Sequence, residues 1–280
     1  MYKDGKPCPS YNEKKCLKCI SFMERIPGYK RIIKRFGLKE GSPHIPQNIT
    51  KIRYKKFAAL LNNSDYILPV SNRVEEIYRA SGITAKSRVL HIGNISADLF
   101  EEHYSYNIEN RAVKLVFLGR LSEYKAADLF INIAKKMKNE SNLEFHFCGY
   151  AGEYEQQIAD AGIINHGKYK QDELSQILNC YDMGMVLSIW EDNGPQVVME
   201  LLNNHIPVIG TKMGGISDFV TRENGFIFDP YKESELDELY AFLKTLSTQT
   251  VARLKSNIKR TTTTQEHYHE LMGVYSEVLG

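Results

Sequence analysis

Residues 188–219 read SIWEDNGPQVVMELLNNHIPVIGTKMGGISDF, and the order of elements within them decides the fold. Upstream, residues 183–187 are an apolar run of strand length, broken by Gly184, that stops at the acidic loop. Pro195 suits the first turn of a helix, where its missing N–H costs nothing. Asp192 and Asn193 stand just before it, where short polar side chains cap free N–H groups. Those N–H groups and the helix dipole make the helix start an anion site. Glu200 lies about one and a half turns on, within reach of a ligand held there. Two acids around a Gly-Pro helix start suit a ligand with both phosphates and hydroxyls. The plainer reading is capping plus a solvated acidic loop, and local chemistry alone favours it.

The elements around this stretch alternate. Residues 113–118 form an apolar strand broken only by Lys114, followed by Gly119 and Arg120. Residues 126–137 are helical, with Leu129, Phe130, Ile133 and Met137 on one side. Further strands are expected at 143–148, 163–167 and 225–229, and helices at 172–180, 234–246 and 265–279. Strands alternating with helices over about residues 86–260 predict a parallel, doubly wound α/β sheet. A strand, a glycine turn and a helix place ligands at the carboxyl end of such a sheet. Arg120 forks onto phosphate oxygens and Lys125 supplies a point charge, although solvation is the usual fate of both residue types. Cys148 reads as a buried small hydrophobe rather than a nucleophile. His91, between Leu90 and Ile92, is read as packed in preference to a catalytic base.

The chain has 280 residues, 42% of them hydrophobic, enough for one large or two ordinary domains. A net charge of +2 argues against dedicated nucleic-acid binding. No apolar run reaches the roughly 18 residues that span a bilayer, and no signal peptide precedes Tyr2, so a soluble, cytoplasmic protein is expected. Five cysteines do not indicate a secreted disulfide scaffold. Cys8, Cys16 and Cys19 are candidates for zinc, but a closed site needs a fourth ligand, for which His44 is available; reduced thiols in a loop are the alternative. Residues 25–39, RIPGYKRIIKRFGLK, are basic with interleaved apolar positions. They fit a helix resting on an anionic membrane surface as well as one packed on a core. Residues 51–62 read as a helix with Ile52, Phe57, Leu60 and Leu61 on one face, and residues 65–71, DYILPVS, as a buried strand.

Taken in order, these segments resemble the retaining, family-four glycosyltransferases of GT-B fold. The resemblance is carried by Asp192 (or Glu191), Glu200, Pro207, Val208, Ile209, Gly214, Gly215, Ile216 and Asp218, and by GRLSEYKAADLF at residues 119–130. DYILPVS at 65–71, VLHIGN at 89–94 and GFIFD at 225–229 add to it. Asp192 has the family's seven-residue spacing to Glu200, whereas Glu191, the more typical acid, is eight residues away. Asp218 stands where Glu is more usual, and Ala126 replaces a usual glycine, leaving the backbone less freedom there.

The resemblance implies a Rossmann-like, nucleotide-sugar-binding C-terminal domain at residues 86–262. A partial N-terminal, acceptor-side domain at 1–85 and a helix at 263–280 crossing back to it complete the expected layout. The implied reaction is sugar transfer with retention from a UDP-, GDP- or ADP-sugar to a glycan or lipid-linked acceptor, in surface polysaccharide synthesis. Gly119, Arg120 and Lys125 would face the donor diphosphate, and Glu200 the ribose. Glu191 or Asp192 would contact the sugar, Tyr169 the base, and backbone around Asn193, Gly194, Pro195 and Gln196 the hydroxyls or phosphate. No Asp-x-Asp motif occurs, which fits a reaction without metal or other cofactor. Peripheral contact with the inner face of a membrane follows from the acceptor class. A catalytically silent nucleotide-sugar-binding module completed by a partner chain is the alternative, and an epimerase sharing the fold is a third.

Overall fold

The computed structural model describes residues 2–3, 6–7, 49–102 and 105–280. The zinc candidates Cys8, Cys16 and Cys19 and the basic stretch 25–39 lie outside the described residues. The chain divides into two compact units, Met1–Pro69 with Glu75–Arg88, and Val70–Val74 with Val89–Gly280.

In the first unit, β1 (Tyr2–Lys3) and β2 (Lys6–Pro7) pair antiparallel. Helix α1 (Ile49–Asn62) and the later part of α2 (Asn72–Ala80) enclose a small core of Ile67, Ile83 and Ala85, with Ala58, Leu61 and Tyr78 against it. Of the apolar face expected on α1, Leu61 packs inward while Ile52, Phe57 and Leu60 are exposed. The strand expected over DYILPVS is one parallel bridge, Ile67 to Ser87. Pro69 has no N–H to extend that ladder.

The second unit carries a six-stranded sheet. Its strands are β3 (Val113–Arg120), β4 (Leu143–Tyr150), β5 (Ile164–Asn165), β6 (Met183–Val186), β7 (Val208–Thr211) and β8 (Gly225–Phe228). Their order is β5-β4-β3-β6-β7-β8, with every pair parallel. Apart from the short, exposed edge strand β5, the sheet is buried on both faces, which is why its other strands read as near-continuous apolar runs. Val113, Leu115 and Phe117 of β3 point into one core, with α3 (Ala127–Lys136), α4 (Glu155–Asp160), α8 (Glu233–Thr245) and α9 (Thr248–Lys255). Val116 and Leu118 point into the other, with α5 (Leu174–Leu178), α6 (Gln196–Asn203) and α7 (Ile216–Phe219). The last helix, α10 (Thr264–Leu279), opens with a capping box of Thr263 and Glu266, and His267 Nδ1 lies 2.9 Å from the carbonyl of His91.

This order makes the sheet doubly wound. The chain leaves β3 towards β4 and β5, then returns to its other side for β6, β7 and β8. The switch point lies between the carboxyl ends of β3 and β6, where open α/β sheets hold ligands.

At the opposite end of β6, Asp182 is buried and organises a polar cluster. It accepts two hydrogen bonds from Arg111, at 2.7 and 2.9 Å, one from the Lys114 N–H at 2.8 Å and one from the Tyr106 hydroxyl at 2.7 Å. Burial alone would raise its carboxyl, but bonds from Arg111, the Lys114 amide and Tyr106 hold it below the ordinary Asp value. The unfolded chain therefore binds more protons in acid. The stabilisation is fully present above the ordinary Asp value of about 3.9 and is lost as pH falls towards the native one. Asp182→Asn is expected to cost about 2 kcal/mol, reduced from a fully buried pair because Arg111 is part-exposed, and to flatten the acid limb of stability. Urea titrations between neutral pH and pH 3 read both effects.

Candidate functional site

The carboxyl end of β3 delivers Gly119 and Arg120 beside the matching residues of β4, Gly149 and Tyr150. Gly149 is required by contact, since a Cβ there would lie 1.6 Å from the Gly119 carbonyl oxygen. The Arg120 guanidinium stands 5.6 Å from the centroid of the Tyr150 ring, and Lys168 Nζ stands 5.0 Å from it. Arg120 is exposed and has no carboxylate partner among the described residues. Its charge is available to an anion.

Lys125 ends a single turn, Glu123–Lys125, capped by Ser122. Ala126 follows in the left-handed region, φ 57° and ψ 48°. That is the freedom the sequence lacks where its resemblance expects glycine. A non-glycine residue pays roughly 1–2 kcal/mol there, partly offset by glycine's greater entropy in the unfolded chain. Ala126→Gly is therefore expected to stabilise the protein by about 0.5–1 kcal/mol, read as a higher urea midpoint with unchanged slope.

Lys125 Nζ donates to Asp192 Oδ2 at 2.9 Å. Glu191 is used differently. Arg73 forks onto it through Nε and Nη2, at 3.1 and 2.8 Å, and the Gly214 N–H donates to its other oxygen at 2.9 Å. The glycine turn lies against this loop, with the Gly215 N–H bonded to the Asp192 carbonyl at 2.7 Å. Gly214 has φ 55°, and a Cβ there would fall 2.1 Å from the Asp192 carbonyl oxygen.

The expected capping of α6 by Asp192 and Asn193 is corrected. Pro195 itself is the N-cap, with no side-chain cap, and its carbonyl accepts the Val198 and Met199 N–H groups. Asp192 is turned to Lys125, and Asn193 is exposed. Gly194 is half-buried, where a Cβ would meet Ile92 Cδ1 at 2.8 Å. The Gln196 side chain accepts from Asn94 Nδ2 at 2.7 Å. The N–H groups opening α6 thus stay without a side-chain cap beside Asn193 and Gly194, a favourable setting for an anion.

Glu200, in α6, accepts from Gln171 Nε2 at 2.7 Å. Burial raises its carboxyl, with the Gln171 bond opposing. Burial and the charge of Glu200 also raise the Tyr169 phenol, which places the two side chains in one electrostatic neighbourhood.

Sequence reasoning missed Arg73, Gln171 and the partner of His91. His91 lies outside any strand and is hydrogen-bonded as well as packed: its Nε2 is 2.9 Å from Asp218 Oδ2, and its ring is 5.0 Å from Phe219. Asp218 also accepts the Asn72 N–H at 2.9 Å. Burial would raise the Asp218 carboxyl, but the bonds from His91 and Asn72 hold it low. Among the described residues, no group of three or more His, Cys, Asp or Glu is placed to hold a metal ion.

The glycosyl transferases group 1 family matches residues 100–261, more than half of the chain and all of the site just described except Asn72, Arg73, His91, Ile92 and Asn94. The chain belongs to this family. Sulfoquinovosyl transferase SQD2 of Arabidopsis thaliana is 26% identical over 137 residues, covering 47% of this chain and 26% of that protein. The chain therefore spans about a quarter of the length of this curated relative. Among solved structures, Anabaena Alr3699/HepE in complex with UDP and glucose has a TM-score of 0.62 at 17% identity, over 82% of this chain and 68% of that one. Sucrose-phosphate synthase from Thermosynechococcus elongatus has a TM-score of 0.58 at 16% identity, over 82% and 62%. The likeness to these structures is one of fold, and the fold is the α/β type of GT-B glycosyltransferases.

Proposed function

We propose that the chain is a retaining glycosyltransferase that moves a sugar from a nucleotide-sugar donor to a hydroxyl of a glycan or lipid-linked acceptor, in surface polysaccharide synthesis. The observation that carries this reading is the charge arrangement at the switch point. Arg120 has no carboxylate partner among the described residues, Lys125 stands beside Asp192, and α6 starts without a side-chain cap. Arg120, the Lys125–Asp192 pair and the uncapped helix start all follow strands that end at the switch point of an open α/β sheet. A diphosphate is the ligand they suit.

Arg120 and Lys125 would take the negative charge that grows on the departing diphosphate, so no metal is needed for that role. Gly119 and the N–H groups of Asn193, Gly194 and Gln196 would approach the phosphates or sugar hydroxyls closely. Glu200, raised by burial, would accept from the ribose hydroxyls in place of Gln171, with Tyr169 beside the base. Glu191 is already committed to Arg73 and the Gly214 amide, so Asp192 is the acid assigned to the donor sugar, with Glu191 holding the loop. The complexes of HepE with UDP and with UDP-glucose support UDP as the first nucleotide to try. Retention rests on the resemblance to the family-four enzymes.

No described helix is long and apolar enough to cross a membrane. A cytoplasmic site of action, at the inner face of a membrane, is proposed from the acceptor class. The test is incubation of the full chain with UDP-, GDP- and ADP-sugars and a panel of glycan and lipid-linked acceptors, following nucleotide release and the anomeric configuration of the product. Release with an axial anomer conserved supports the reading. Saturable donor binding with no release under any acceptor supports the silent module instead.

A further inference from the structure

Beside the Lys125–Asp192 pair, two aromatic rings stand in the open. Tyr124 and Trp190 are 51% and 42% exposed, with ring centroids 5.4 Å apart and planes at 76°. The main chain beneath them is fixed. The Ile189 N–H donates to the Tyr124 carbonyl at 3.0 Å, and the Tyr231 hydroxyl donates to the Ile189 carbonyl at 3.3 Å. Tyr124 itself sits in the turn held between the Ser122 cap and the left-handed Ala126. Two loops thus run side by side, setting Tyr124 against Trp190 and, one residue along the first loop and two along the second, Lys125 against Asp192.

A lone exposed aromatic calls for no explanation. Here the indole is braced edge to face by a second ring, on tied backbone, at the rim of a charged site. Small-ligand sites combine such flat apolar surface with a few placed polar groups. A pyranose has the complementary chemistry, with a face of C–H bonds and a rim of hydroxyls. We infer that Trp190, braced by Tyr124, is a carbohydrate-stacking subsite that takes the C–H face of a pyranose whose hydroxyls reach Asp192. This deepens the donor-site reading and rests on it. The ring can be the donor's own sugar or the terminal sugar of an acceptor, and the chemistry of stacking is shared by both.

Trp190 is the only tryptophan in the chain, so its emission reports on this position alone. The full chain is titrated with UDP, then with UDP-glucose, UDP-galactose and UDP-N-acetylglucosamine. Methyl glycosides of the same sugars are titrated with and without saturating UDP. A change in emission beyond that caused by UDP is expected with a UDP-sugar if the donor ring stacks, or only with a glycoside if the acceptor ring does. Trp190→Ala is expected to weaken that sugar-bearing ligand about tenfold, with UDP affinity within about twofold of the parent, and Trp190→Phe to keep most of the affinity. Calorimetric UDP binding without any sugar-dependent emission change overturns the subsite, as does a Trp190→Ala variant with parental sugar affinity. Failure of UDP to bind counts against the donor site instead. In that case the glycosides alone decide the subsite, supporting it by a saturable emission change that Trp190→Ala abolishes in calorimetry, and overturning it by none.

Discussion

Lys125→Ala is expected to lower the rate of sugar transfer by about 10²–10³-fold, the range seen when one preorganised charge or donor is removed from a transition state. The reason lies in its partner. Lys125 Nζ is 2.9 Å from the Asp192 carboxylate, so its loss removes a cation and also leaves an anion facing the bound diphosphate. Asp192→Asn removes that repulsion, so UDP is expected to bind at least as tightly as to the parent while transfer still falls. The double variant should recover UDP affinity relative to Lys125→Ala alone and recover none of the rate. Calorimetry with UDP beside a nucleotide-release assay separates these outcomes. Equal losses of affinity in Lys125→Ala and in the double variant would show that the pair does not share the ligand.

Gly149→Ala is expected to be the most damaging small substitution in the second unit. The new Cβ would stand 1.6 Å from the Gly119 carbonyl oxygen and 2.5 Å from its carbon. No side chain can turn aside to relieve this, because the obstacle is the main chain of the neighbouring strand. Either β3 and β4 separate at their carboxyl ends or Gly119 moves, and Arg120 moves with it. A loss of about 3 kcal/mol or more is expected, with UDP affinity lost even in molecules that stay folded. Gly273→Ala is the control. Gly273 lies within α10 with nothing beyond the local helix backbone within 4 Å of an added Cβ, and that change is expected to stabilise by up to about 1 kcal/mol. Urea titrations of both variants, with UDP binding of the survivors, measure the contrast.

The fold was largely legible because a sheet buried on both faces writes itself as apolar runs. Residues 113–118, 143–148 and 225–229 each announce a strand, and the glycines after the first two mark the carboxyl end of the sheet. DYILPVS looked the same and is only a bridge at Ile67, since an apolar run does not say whether a neighbour is there to pair with it. Ala126 was readable as a departure from glycine, and its φ of 57° shows what that departure costs the backbone.

The site was legible where its residues are local to one loop or helix. It was opaque where the pairing partner is distant: Arg73 is 118 residues from Glu191, and His91 is 127 from Asp218. Capping was misread for a related reason. Asp192 has the right chemistry for a cap, but a lysine 67 residues away competes for it and wins. Local propensity describes what a side chain can do. Tertiary contacts choose.

Arg120 and Glu200 are expected to face one nucleotide at the switch point of the sheet. Isothermal titration of the full chain with UDP, GDP and ADP, beside Arg120→Ala and Glu200→Ala, tests it most directly. Saturable binding of one nucleotide is expected, weakened about tenfold or more in each variant, as for loss of a charged hydrogen-bond partner. Undiminished binding in both variants, or no binding of any of the three nucleotides, would contradict it.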